Sequence, residues 1–512
     1  MIALANCLDG NAIVSDPART ARNVLANLAT LACQSAQPIY HGTVMNLFGA
    51  AGYGIYAPAL MMLEIPTRAG VCAMDYGLMR QIPIHRARGE ASLEASAVGS
   101  ALRVTFLAGL FLAVLIRGVT WGLAAALKSS MATSILDVLG ILGFSLPFVL
   151  ETVALASLAL ATQTARGNFW IRGVLEPACS LAGLLIAAVF WRDVEGLAWM
   201  QVAAAAATCT GATLVTAGLY GRRRLIDAVL HAPHHRAMER FALPLTVSEL
   251  LSALWQYLQA LVLPIWVGNP ETLGVYFGAE YFARLVNTVR YPFDTIVAPL
   301  ISEAHAVGDR GQVQSALTQL SRWVLILVLP VVLLFCCFPH AVLAIAGRDF
   351  AGGSVFLVAF AAAMGLNASF GLSGWVVSMT GRSRVTLMNN AIAVAVNLSL
   401  SLLLIPRFGA VGALASTITT MLSVRVLENA EAWGLERVHL FQPAFLKPFL
   451  AAGASFAVQW VVGEWLEDSL LQMAVATAVG LAVYLAALAV LGLTTEERRL
   501  LGRSRGASRT AR

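Results

Sequence analysis

The residues in this sequence best suited to chemistry are polar and charged ones set inside apolar stretches. Glu64, Arg68 and Asp75 recur at i, i+4 and i+11, within about 40° of one another on one helical face. Glu280, Arg284, Asn287, Tyr291 and Asp294 repeat that stripe, with Arg290 just off it and Pro292 predicting a kink. Glu249, Ser252, Gln256 and Gln259 form a third stripe. Asn23, Asn27, Gln34 and His41 form a fourth, with Thr30 and Gln37 beside it. An ionisable side chain at the centre of a bilayer costs about 2.5–3.5 kcal/mol on insertion scales, so it faces a cavity or a partner.

Amides and hydroxyls suit sugars, whereas a guanidinium fork binds phosphate oxygens bidentately. Arg68, Arg284 and Arg290 are therefore the expected contacts for an anionic head group, with Arg103 a weaker fourth. Asn27, Gln34, Gln256 and Asn287 line the same expected cavity. The plainer reading of Glu64–Arg68 and Glu280–Arg284 is an i, i+4 ion pair that helps a helix insert. Glu249, which has no basic neighbour on its own helix, is the first candidate for carrying a coupled proton or sodium ion. Asp294 and Glu151 follow, and each serves equally well as a satisfied packing group. Asp75, near the end of its span, reads as a cap or gate residue.

Other chemistries find little support. His231, His234 and His235 have helical metal-ligand spacing, but Pro233 interrupts them among many arginines, so a solvated basic loop able to touch anionic lipid is the expectation. The seven cysteines lie almost all in apolar stretches without CxxC spacing and read as small core residues, so no metal is expected. Gly122 followed by Lys128-Ser129 comes nearest to a phosphate-binding loop, but Leu127 stands where that motif needs glycine.

The elements that must position these residues are membrane helices. Of 512 residues, 58% are hydrophobic and 12% charged, with a mean hydropathy of +0.75. Soluble domains carry about 25% charged residues. The apolar runs are about 20 residues long, the length of a spanning helix, and too uniform for barrel strands. Fourteen spans are expected, at roughly 22–46, 54–79, 96–116, 138–161, 171–191, 197–220, 242–266, 274–300, 322–345, 354–379, 386–405, 410–430, 443–463 and 470–493. No cleaved signal peptide is expected, because the order of basic then apolar residues is missing.

On this layout 24 of the 34 basic residues fall on one side and five on the other, with five inside spans. That asymmetry places both termini in the cytoplasm, and it explains the +6 net charge without nucleic acid. Every connection is short, which leaves no room for a soluble catalytic or nucleotide-binding domain.

The chain also echoes itself. Gly54-Ile55-Tyr56 opens the second span and Gly274-Val275-Tyr276 the eighth. The connection 162–167 resembles Thr380-Gly381-Arg382. These echoes suggest an all-α protein of two pseudo-symmetric six-helix lobes, related by an axis along the membrane normal. The N-terminal lobe covers 1–220 and a basic linker 221–241. The C-terminal lobe covers 242–438, two extra helices 439–495, and a basic tail 496–512.

Several segments resemble a known family. Gly54-Ile55-Tyr56 through Asp75-Tyr76-Gly77-Leu78, Leu273-Gly274-Val275-Tyr276 through Ala298-Pro299-Leu300-Ile301-Ser302-Glu303, and above all Thr380-Gly381-Arg382, Asn397-Leu398 and Leu404-Ile405-Pro406-Arg407-Phe408-Gly409 through Ala413 are similar to motifs of the Wzx-type polysaccharide biosynthesis flippases. These belong to the multidrug/oligosaccharidyl-lipid/polysaccharide exporter superfamily. The resemblance covers about 40–430, and Glu64-Ile65-Pro66 departs from it.

It implies a V-shaped bundle in the bacterial inner membrane. Such a bundle flips undecaprenyl-pyrophosphate-linked repeat units of O-antigen, capsule or exopolysaccharide by alternating access, without a cofactor. Monomer is the default state, and the polymerase and co-polymerase of that pathway are the expected neighbours. A lipid II flippase and a cation-coupled multidrug exporter of the same fold are the rival transporters. A polysaccharide polymerase or ligase, the rival enzyme class, would be expected to carry a large outer loop with catalytic His, Arg or Asp, which is not seen here.

Overall fold

The computed structural model describes residues 37–126, 130–162, 165–440, 443–465 and 470–491. Asn27, Gln34, most of the first expected span and the basic tail lie outside these residues. The described residues are helical throughout, without strands. The first helices are α1 (Gln37–Val71), α2 (Met74–Arg88), α3 (Ala91–Ala126), α4 (Ser130–Leu142) and α5 (Leu146–Ala161). A π-helical stretch, Phe169–Leu175, leads into α6 (Glu176–Phe190), then α7 (Val194–Tyr220) and α8 (Arg222–His231).

The second half holds α9 (Arg236–Trp266), α10 (Pro270–Thr288), α11 (Tyr291–Val307), α12 (Arg310–Cys337), α13 (Ser354–Phe370), α14 (Ser373–Met379) and α15 (Ser383–Glu436). It is followed by α16 (Leu446–Trp465) and α17 (Leu470–Leu491).

Among the described residues nine helical stretches are long and apolar enough to cross a membrane. α1, α9 and α10 are not among them, because their polar and aromatic residues hold the mean hydropathy down. These are the helices that carry the expected stripes. The chain is thus an all-helical, multi-pass membrane protein, and α1 packs on both α9 and α10 where its two halves meet.

Two helices are really hairpins. Gly49 (φ 66°) and Gly409 (φ 56°) each fold a helix back on itself, in backbone conformations that a side chain would strain. The folding is shown by hydrogen bonds across the turns. Tyr40 and Tyr56 hydroxyls lie 2.7 Å apart, Ser401 donates to Ser416 at 3.2 Å, and Asn389 donates to Glu431 at 2.6 Å. The sequence places breaks near both glycines but leaves loops of several residues there.

It places no break at Cys72–Ala73, yet both residues are left-handed (φ 51° and 47°) and separate α1 from α2. The matching break in the second half comes at Val289–Arg290. Pro292 sits in the first turn of α11, where its missing N–H costs nothing, so the break lies slightly before the expected kink. The ninth expected span, 322–345, is shifted too: its helix runs Arg310–Cys337.

The halves cross most closely near the hairpin at Gly49. A Cβ on Gly54 would collide with the Pro270 carbonyl, and one on Gly274 with the Ala50 carbonyl. Asn46 Nδ2 adds a hydrogen bond of 2.6 Å to the Ile345 carbonyl. The appended pair α16–α17 docks on α12, with Tyr484 donating to the Ile326 carbonyl at 3.0 Å.

Because this crossing is backbone on backbone, Gly274→Val should lower stability by about 1–3 kcal/mol, as overpacking does. Gly118→Ala, where nothing lies within 4 Å, should change little. Thermal unfolding of both variants in the same detergent checks this.

Candidate functional site

Polar side chains from α1, α2, α9 and α10 converge on the seam between the halves. Arg68 on α1 reaches Glu249 on α9, Nη1 to Oε2, at 3.7 Å. The Tyr76 hydroxyl on α2 donates to the other carboxylate oxygen at 3.5 Å. Glu249 therefore finds its cation on the opposite half of the molecule rather than on its own helix. Arg68 remains 51% exposed and makes only this one long contact among the described residues, so most of its five N–H donors stay available.

Arg284 is the contrasting case. Its Nε and Nη2 lie 3.2 and 2.6 Å from the same Glu280 oxygen, and its guanidinium stacks 5.0 Å from the Tyr257 ring centre. Glu280 is 5% exposed and Arg284 29%. Charge and fork are largely satisfied there, so Arg284 anchors the seam while Arg68 is free to exchange partners.

Above these groups the His41 ring packs 3.9 Å from Tyr281, and its Nδ1 meets the Tyr53 hydroxyl at 3.1 Å. Tyr53 and Tyr56 are fully buried. His41, expected on a polar stripe, thus belongs to an aromatic plug beside the Gly54–Pro270 crossing.

The remaining expected residues are placed as follows. Gln256 is exposed and donates to Ser252 of its own helix at 2.8 Å. Gln259, expected on the same face, turns inward, its Nε2 lying 2.9–3.0 Å from oxygens of Asn397, Ser401 and Ser416 that share its two N–H donors. Asn287 accepts from Asn367 at 3.2 Å. Arg290 pairs with Asp294 at 3.2 Å, and Trp375 Nε1 donates to the same carboxylate at 2.7 Å. Glu151 accepts from Thr105 at 2.9 Å, inside the first half. Arg103 caps α8 instead of lining the seam, donating to the Val229 and Ala232 carbonyls at 3.0 and 2.7 Å.

Sequence reasoning passed over other charges. Arg425 pairs with Glu428 at 2.5 Å close to Arg290, since a Cβ on Gly371 would meet both guanidinium groups. Opposite charges three apart inside an apolar span were the available signal. Arg172, at the start of the expected span 171–191, lies on the π-helical stretch, within electrostatic reach of Asp75 and Glu176. Nothing in residue types announces a π turn.

Two packed helical halves that meet along a seam carrying Arg68, Glu249, Glu280 and Arg284 define a two-lobed helical membrane bundle. Residues 46–352 match the family described as "Polysaccharide biosynthesis protein", and the chain belongs to that family. No curated protein matches it in sequence. Among solved structures, a lipid II flippase, MurJ, in an inward closed conformation is 12% identical with a TM-score of 0.72, covering 91% of this chain and 98% of its own.

An inward-facing multidrug resistance transporter of the MATE family is 12% identical with a TM-score of 0.61, covering 85% and 99% respectively. An outward-facing one is 13% identical with a TM-score of 0.59, covering 81% and 95%. At these identities the likeness is one of fold.

Removing the two seam arginines should have unequal effects on stability. Arg284→Ala strands a buried carboxylate and should cost about 3–5 kcal/mol. Arg68→Ala, in a half-exposed pair, should cost about 0–1 kcal/mol. Thermal midpoints of the purified variants decide this.

Proposed function

We propose that the protein flips an undecaprenyl-pyrophosphate-linked oligosaccharide across the bacterial inner membrane by alternating access, with its arginine-rich connections and both termini in the cytoplasm. The observation that carries this reading is the Arg68–Glu249 contact across the seam. It is a guanidinium with donors to spare, held by one carboxylate that a pyrophosphate can displace. Arg284, held by Glu280, faces it from the opposite half, and Gln256 and Asn287 offer amides suited to sugar hydroxyls. Membership of a polysaccharide biosynthesis family supports a lipid-linked sugar as the substrate class.

Glu249 is the proposed coupling carboxylate. Taking up a proton, or facing a sodium ion, it releases Arg68 to the substrate and unties the halves. Asp294 and Glu151 already accept hydrogen bonds within single halves and rank behind it. The protein works as a monomer beside the polymerase and co-polymerase of its pathway.

The test follows the lipid-linked sugar pool in a deletion strain, with its leaflet read by an impermeant sugar-modifying reagent. The intact gene should clear single repeat units from the cytoplasmic leaflet. Arg68→Ala should do so roughly tenfold more slowly or worse, the loss expected of a charge-assisted hydrogen bond. Glu249→Gln should likewise fail to couple. If the deletion strain instead accumulated completed single repeat units on the outer leaflet, flipping would be intact, and a polymerase or ligase would replace this reading. Accumulation of lipid II alone would point to a lipid II flippase.

A further inference from the structure

At the arginine-rich end, outside the apolar spans, two buried histidines meet. His85 lies in the last turn of α2 and His235 immediately before α9. Both residues are 7% exposed, and their Nε2 atoms are 3.1 Å apart. The protons on both rings can be assigned from their partners. His235 Nδ1 accepts the Met238 backbone N–H at 3.1 Å and so caps α9. An accepting nitrogen carries no proton, so the His235 proton is on Nε2. That N–H points at His85 Nε2, which must accept it. The His85 proton is then on Nδ1, 2.7 Å from a Glu90 carboxylate oxygen. Both rings are neutral, each in one fixed tautomer.

The surroundings hold the pair in place. Ser100 Oγ accepts the His235 backbone N–H at 2.7 Å, and Ser96 Oγ donates to the Pro233 carbonyl at 2.6 Å. The charged neighbours are engaged with one another. Arg86 from α2 pairs with Glu94 of α3 at 2.8 Å, and Glu239 of α9 with His234 at 3.1 Å. α8 contributes Asp227 and His231, 3.9 Å apart on its exposed side. α3 contributes Arg103, which is spent on carbonyls.

We propose that His85–His235 is a proton-binding clasp between the halves, and that one proton taken up by the pair opens it. A proton on His85 Nε2 would set two N–H groups facing each other. A proton on His235 Nδ1 would expel the Met238 N–H from its cap. No arrangement of three protons on the pair keeps both contacts. A shared metal is disfavoured by the same logic, since His235 Nε2 has no free lone pair, and among the described residues no group of three ligands exists.

The sign of the pH dependence follows. Burial, and next the neighbouring His85, pull His235 below the usual histidine value. The closed clasp therefore binds fewer protons than the open one. Closure is insensitive to pH above the free-histidine value of about 6.5 and weakens below it, by about tenfold per pH unit for one proton.

Hydrogen–deuterium exchange of the full chain in lipid nanodiscs tests this between about pH 5 and pH 8, corrected for intrinsic exchange rates. Peptides covering 236–242 should hold constant protection near neutrality and exchange about tenfold faster at the acid end, while peptides within 471–490 stay unchanged. His235→Asn, which can still accept the Met238 N–H but does not titrate, should exchange at one rate throughout. A flat wild-type profile overturns the proposal without any variant. An acid-induced rise that persists in His235→Asn overturns it as well.

Discussion

An ionised side chain inside a bilayer costs several kilocalories per mole unless something answers its charge, and this constraint orders the interior. Arg68, Arg284, Arg290 and Arg425 each meet a carboxylate. Arg103 meets two helix-terminal carbonyls instead, which carry partial negative charge of their own. Three of the four carboxylate partners are local, three or four residues along the chain. Only Arg68 takes its partner from the other half, and it is also the most exposed and most loosely held. The transport proposed above needs such a contact: strong enough to let an arginine sit in the seam, weak enough to be exchanged.

The rest of the seam is built to confine that exchange. Gly54 and Gly274 let two backbones touch at one end, and the tyrosines around His41 close the space beside them. Toward the opposite end α2 meets α9 through Gly77 against Met238 and Arg80 over the Phe241 ring at 4.4 Å. The polar groups lie between these contacts, on α1, α2, α9 and α10, none of which is among the nine long apolar stretches. Polar residues are what a wet face requires, and the nine longer apolar stretches are the ones suited to contact with lipid.

Much of this was legible from residue types and spacing, and the exceptions have physical reasons. Charges at i, i+4 in apolar surroundings single out Arg68 and Arg284, and both side chains lie at the seam, because few positions tolerate them. Helical phase placed Gln259 beside Glu249 and Gln256, yet it bonds to Asn397, Ser401 and Ser416. Phase fixes a direction around one axis but not which helix stands there. Arg103 was read as a site residue because its partners come from Val229 and Ala232, far along the chain. The π turn that carries Arg172 left no mark in the sequence, because it re-aims side chains without changing composition. The hairpin glycines were visible as breaks, but that a single residue could complete each turn was not.

The capping of α8 by Arg103 also determines how the molecule can bend. The stretch 221–241 looks in sequence like a rope joining two bodies. With α8 bolted to α3 through two carbonyls and α9 beginning at Arg236, the slack shrinks to Ala232, Pro233, His234 and His235, one of them a proline of fixed φ. So short a joint acts as a pivot. In the alternating access proposed above, the halves would swing about it without drifting apart there, and the sweep at the far end would be set by the length of α9 rather than by the length of the linker.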